Sequence, residues 1–153
     1  MTTSIASTPE RVWVDIDRAA LIANARTLAA SARVPLLPLI KADAYGLGAV
    51  EVARTLDPLD PWGFGVATLD EASALRAAGV IRPIIVFTPV APEQVARHRA
   101  LGLRPLIGDV PALEAWMHAG HEPFHIGVDT GMGRVGFHWR DRGLQAAVAD
   151  RLR

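Results

Sequence analysis

Gly63-Phe64-Gly65-Val66-Ala67-Thr68-Leu69-Asp70-Glu71-Ala72-Ser73-Ala74-Leu75-Arg76-Ala77-Ala78-Gly79 is the stretch that decides the fold. Gly63 to Ala67 reads as a short apolar strand. Thr68 and Glu71 have the spacing of a capping box, in which a hydroxyl and a carboxylate satisfy the free amides at the start of a helix. Gly79 can stop that helix by adopting a left-handed backbone, and Pro83 to Phe87 reads as the next strand. Two strands separated by one helix are expected to run parallel, joined by a right-handed crossover.

The same rhythm extends in both directions. Upstream, Val12 to Ile16 reads as a strand, and Asp17 is placed to cap a helix from about Arg18 to Ala32 with Leu21, Ala25 and Leu28 on one face. Leu36 to Lys41 follows as a strand and Ala49 to Leu56 as a helix. Downstream come a helix over Glu93 to Leu101, a strand over Leu103 to Ile107, a helix over Val110 to Ala119, a strand over Phe124 to Val128 and a helix over Arg142 to Leu152. Repeated strand–helix units leave a doubly wound sheet or a (β/α)8 barrel, and about five units after the first pair favour the barrel. The expected fold class is therefore α/β, a partial (β/α)8 TIM-type barrel with parallel strands. A closed barrel typically takes about 250 residues, so the 153 residues here span roughly five of its eight strands. Residues 1–10 are assigned to a flexible tail and residues 11–153 to the N-terminal part of the barrel.

Composition narrows the function. Half of the residues are hydrophobic, 21% are charged and the formal net charge is zero, which supplies no electrostatic attraction toward nucleic acid or a membrane surface. Partners are expected to be small molecules or protein chains. No apolar run approaches a membrane span, and the first residues lack the basic and apolar pattern of an export signal, so a cytoplasmic location is expected. The absence of cysteine excludes disulfides, thiolate metal sites and thiol catalysis.

Lys41 is the single lysine among sixteen basic residues. A primary amine can condense with an aldehyde, whereas an arginine guanidinium stays protonated and is not nucleophilic. Lys41 follows the apolar run Pro35 to Ile40 and opens Lys41-Ala42-Asp43-Ala44-Tyr45-Gly46-Leu47-Gly48. An amine at a strand end facing a glycine-rich loop lies where α/β folds keep their chemistry. Tyr45 is the single tyrosine. Arg134 lies in Val128-Asp129-Thr130-Gly131-Met132-Gly133-Arg134-Val135-Gly136-Phe137, where glycines allow close backbone approach and Asp129 and Thr130 are expected to shape the loop. His118, His121 and His125 have helical spacing, but Gly120 and Pro123 interrupt that helix, so no metal site is expected. Gly46-Leu47-Gly48 does not meet the spacing of a dinucleotide fingerprint.

The two segments around Lys41 and Arg134 together resemble the signature segments of the N-terminal half of the alanine racemase family. The resemblance runs from about Val12 onward. It implies a pyridoxal-phosphate enzyme, built as a barrel followed by a β domain, that interconverts L- and D-alanine as a homodimer and supplies D-alanine for peptidoglycan. Lys41 would then hold the cofactor as an internal aldimine and serve as one of two bases at Cα, Tyr45 would contact the cofactor phosphate, and Arg134 would pair with the phenolate oxygen and the substrate carboxylate. The second base would be a tyrosine from the later half of the partner chain, so the chain alone is expected to be inactive. The later part of the barrel and the β domain are not in this sequence. Many family members place a carbamylated lysine two residues before the Asp-Thr-Gly segment to steady the arginine; here that position is Gly127. A racemase of serine or another small amino acid, and a non-catalytic cofactor-binding or interaction fragment, are the alternative readings.

Overall fold

The computed structural model describes residues 14–152. Its elements are α1 (Arg18–Ala32), α2 (Lys41–Tyr45), α3 (Ala49–Leu56), β1 (Phe64–Val66), α4 (Leu69–Ala77), β2 (Ile84–Pro89), α5 (Val95–Ala100), β3 (Arg104–Ile107), α6 (Val110–Ala119), β4 (His125–Ile126), β5 (Val128–Asp129), β6 (Phe137–His138) and α7 (Arg142–Arg151). The expected tail over residues 1–10 lies outside the described residues, as do Val12 and Trp13 of the first expected strand. Residues 14–16 form no strand.

Strands β1, β2, β3 and β4 lie side by side in sequence order and all pair in parallel. Each crossover is a helix, as the alternation requires. Local chemistry explains the helix starts: the Asp17 carboxylate accepts from the Ala20 amide at 2.9 Å, and that of Asp109 from Ala112 at 2.8 Å. At α4 the Thr68–Glu71 capping box is present on both sides. Gly79, with φ +88°, follows that helix.

Three further expected elements differ from what is observed. The strand Phe124 to Val128 divides at Gly127 into β4, at the end of the four-stranded sheet, and β5, which pairs in parallel with β6. The strand Leu36 to Lys41 reduces to a parallel bridge between Leu39 and Gly65, although Trp62 N–H donates to Leu36 O at 2.8 Å and Gly65 N–H to Pro38 O at 2.9 Å. Pro38, whose carbonyl faces Gly65, has no N–H to give on that same side, so the ladder beside β1 lacks one bond. The helix over Glu93 to Leu101 divides into a 3₁₀ turn, Pro92–Gln94, and the short α5.

Core packing follows the strand pattern. Phe64, Val66, Ile84 and Val86 are at most 1% exposed and pack with Val52, Leu56, Ala72 and Leu75 of α3 and α4. A second cluster joins Ile107, Leu113, Trp116, Phe137 and Val148, and the indole N–H of Trp116 donates to Glu122 O at 2.9 Å. Residues on the other sheet face, such as Leu39 and Phe87, stay exposed. Among the described residues no helix is long and apolar enough to cross a membrane.

Arg76 fastens three parts of this layer. Its guanidinium donates to the carbonyls of Leu101 (2.9 Å), Val80 (2.7 Å), Arg82 (2.8 Å) and Gly102 (3.0 Å). The planar fork of arginine suits four acceptors; the point charge of lysine does not. Arg76→Lys should therefore lower the unfolding free energy by about 2 kcal/mol in urea titrations. An unchanged midpoint would show that the carbonyls are satisfied without it.

Candidate active site

Lys41 does not end a strand. It begins a turn that winds left-handed, with φ of 50° at Ala42, 53° at Asp43, 53° at Ala44 and 56° at Tyr45. None of these is glycine, and each L-residue held there costs about 1–2 kcal/mol relative to the right-handed form. The turn is hydrogen-bonded throughout. Ala44 N–H donates to Ile40 O at 2.9 Å, and Gly46 N–H to Ala42 O at 3.2 Å. The Asp43 carbonyl accepts from Gly48 at 2.9 Å, while its carboxylate accepts from the Ala49 amide at 2.7 Å and so caps α3.

One further bond leaves the segment. The Ala42 N–H donates to Glu71 Oε1 at 2.8 Å, and Glu71 Oε2 accepts from Ala67 at 2.7 Å and Thr68 at 3.2 Å. In the sequence, Glu71 is legible only as the capping-box carboxylate of α4. A capping box reveals that the carboxylate faces its own helix start, but which other segment the second oxygen meets is decided by the tertiary fold.

Beyond the turn, Lys41 and Arg134 line the same cavity of about 440 Å³. It lies at the C-terminal ends of the strands, between the Leu39 segment, Ala67 after β1, Thr88 of β2 and Leu106 of β3. Leu39, Phe87, Leu106 and Val135 form an apolar wall around the two cations. Lys41 is half-buried and Arg134 exposed. Among the described residues neither is paired with a carboxylate; Arg134 Nη2 lies 3.0 Å from Met132 Sδ. Tyr45 is not in this cavity. Its side chain is 67% exposed and lines a neighbouring groove of about 400 Å³, where Asn24 is the other polar side chain. Leu39 lines both.

The Arg134 loop is shaped by Asp129, whose Oδ1 accepts from Gly131 at 2.9 Å and Gly133 at 3.0 Å. These amides, Gly133 first, hold the Asp129 carboxyl below the usual carboxylate range. Gly127 is enclosed: a Cβ there would lie 3.3 Å from Leu106 Cδ1 and 3.5 Å from Gly136 Cα. Gly136 has φ +109°, and a Cβ on it would meet the Gly127 backbone at 2.8 Å. The two glycines thus bring the chains close enough for Phe137 N–H to donate to Gly127 O at 2.8 Å. Where a lysine side chain would begin, the Leu106 side chain already packs.

The three histidines sit in different settings. His118 is in the last turn of α6, which ends before Gly120, while His125 stands in β4 with its ring edge-on to Trp62 at 6.0 Å. Among the described residues no group of three metal-ligating side chains gathers.

Parallel strand–helix units with a cavity at the strand C-termini define a segment of a (β/α) barrel, with an amine and a guanidinium at its mouth. The family model for the alanine racemase N-terminal domain matches residues 16–152, and the chain belongs to that family. It is 37% identical to an alanine racemase of Nostoc sp., an alignment covering 94% of this chain and 40% of the relative. An alanine racemase from Enterococcus faecalis superposes with a TM-score of 0.76 at 34% identity, over 86% of this chain and 38% of that one. Bacillus anthracis alanine racemase with bound L-Ala-P gives 0.79 at 28% identity, over 92% and 37%. The chain therefore spans about 40% of the length of such relatives.

A carboxyl with a depressed folded value stabilises above its unfolded value, and that contribution disappears as pH falls through the folded one. For Asp129 the loop should hold at neutral pH and loosen on acidification, below the ordinary carboxylate range. Amide exchange at Gly131 and Gly133, compared with base-only exchange in an unfolded peptide, should lose protection there. Asp129→Asn should abolish the pH dependence; persistence of the same profile in that variant would assign it to another group.

Proposed function

We propose that this chain carries the cofactor-binding lysine of a pyridoxal-phosphate-dependent alanine racemase. The observation that supports this most is that Lys41 and Arg134, from opposite ends of the sequence and both without carboxylate partners among the described residues, line one cavity. That donor set fits the group. Pyridoxal phosphate presents an aldehyde to an amine and phenolate and phosphate oxygens to cations. Lys41 would take the aldehyde carbon, and Arg134 would donate to the phenolate oxygen and the substrate carboxylate, two acceptors that suit a planar guanidinium.

When bound, pyridoxal phosphate delocalises the electron pair left at Cα after its proton departs. The chain's own contribution is proton handling. Lys41 Nζ would accept the Cα proton on its side and return one there for the reverse direction. The side chains of Leu39, Phe87 and Leu106 line the cavity beside that amine. Racemisation also requires a base on the opposite face. The family resemblance implies that this second base is a tyrosine from the later part of a partner chain in a cytoplasmic homodimer; Tyr45, the only tyrosine here, lines the adjoining groove. We assign Tyr45 itself to the cofactor phosphate, a role that requires its side chain to turn from the groove past Leu39. Residues 11–153 form the N-terminal part of the barrel in this reading.

Reduction with borohydride in the presence of pyridoxal phosphate should fix the label on the peptide containing Lys41, and Lys41→Arg should remove it. Label confined to the N-terminal amine would refute the assignment.

A further inference from the structure

We propose that Glu71 is the positioning residue for Lys41: its carboxylate holds the left-handed turn that presents the amine to the cavity. The inference rests on the proposed function only for the identity of what Lys41 captures.

The argument begins with the unusual demand at residues 42–45. Alanine, aspartate, alanine and tyrosine all prefer the right-handed region, yet all four have φ between 50° and 56°. Most bonds that hold the turn are local, running among residues 40–49, and would move with it. Glu71 Oε1 on the Ala42 amide is different, because Glu71 belongs to α4. Its other oxygen is fixed by Ala67 at 2.7 Å and by Thr68 at 3.2 Å, at the junction of β1 and α4. One carboxylate therefore ties the residue after Lys41 to a buried strand whose Phe64 and Val66 are fully covered. All three donors are backbone N–H groups, and a carboxylate is acceptor-only at both oxygens. An amide in its place must turn an NH2 toward either Ala42 or Ala67.

This role is separable from helix capping. Thr68 Oγ1 accepts from Glu71 N–H at 3.3 Å, so Thr68→Ala weakens the start of α4 without touching Ala42. Glu71→Gln keeps a single acceptor oxygen, which the two amides of Ala67 and Thr68 draw away from the one amide of Ala42, so the NH2 faces the turn and the link to it is lost. Glu71→Asp keeps the negative charge at the helix start but shortens the reach by one methylene, and so guards against a variant that fails to fold.

The test measures two quantities in the full chain. Amide exchange at Ala42 should accelerate at least tenfold in Glu71→Gln and in Glu71→Asp, while the amides of Val90 and Gly127, bonded to Leu106 and Ile107, keep their protection. Borohydride-trapped pyridoxal phosphate on Lys41 should fall by a comparable factor in the same variants, with a shifted absorption spectrum of the bound cofactor. Thr68→Ala should leave both readouts near the unmodified values. The proposal is overturned if Ala42 exchange is unchanged in the Glu71 variants, if exchange accelerates while capture does not fall, or if Thr68→Ala impairs capture equally. Failure of the unmodified chain to capture pyridoxal phosphate on Lys41 would instead refute the functional reading, and the exchange measurement would still decide whether Glu71 holds the turn.

Discussion

Everything that gives this chain a site depends on a left-handed turn that its residues do not favour. Holding Ala42, Asp43, Ala44 and Tyr45 at positive φ opposes the turn by roughly 4–8 kcal/mol in total at the usual cost per residue. The fold answers with carboxylates. Asp43 binds forward to the start of α3, and Glu71 binds back from α4. The result places the one lysine beside Ala67, where β1 ends and α4 is about to begin. Strain held in place by surrounding structure is characteristic of functional positions, and here it sits one residue from the amine.

The opposite wall of the cavity uses another device. Arg134 is carried on a loop whose conformation is fixed by one side chain, Asp129, and by close contact between Gly127 and Gly136. Without a side chain at 127, Leu106 fills the approach to the sheet. The Arg134 guanidinium faces the Met132 thioether of its own loop. Carboxylates accepting from backbone amides therefore hold both sides of the cavity: those of Asp43 and Glu71 at a strained turn without glycine, and that of Asp129 at a loop where glycines take the positive φ values.

The sequence showed the parts of this arrangement that depend on local chemistry. Asp17 and the Thr68–Glu71 pair cap helices where their spacing says they should, and the strand–helix rhythm from Gly63 to Ala119 gives a parallel sheet in chain order. Lys41 and Arg134 could be picked out because one is unique and the other stands among glycines. The turn itself left no local signal, since Ala-Asp-Ala-Tyr carries no glycine at the residues that adopt positive φ. The Leu36 to Lys41 run reads as a full strand because apolar periodicity does not register that Pro38 withholds a ladder bond. The contacts of Glu71 with Ala42 and of Leu106 with Gly127 join residues far apart in sequence, and only the packed sheet determines them.

The most direct test of this account is the sign of φ at Ala42, Asp43 and Ala44 in solution, read from three-bond amide-to-α-proton couplings together with one-bond α-carbon couplings. The account predicts positive φ at all three, with the Ala42 amide protected from exchange. Right-handed values there, in a chain whose sheet amides are intact, would contradict it, because Lys41 would then reach the cavity without the constraint that the rest of the site is built around.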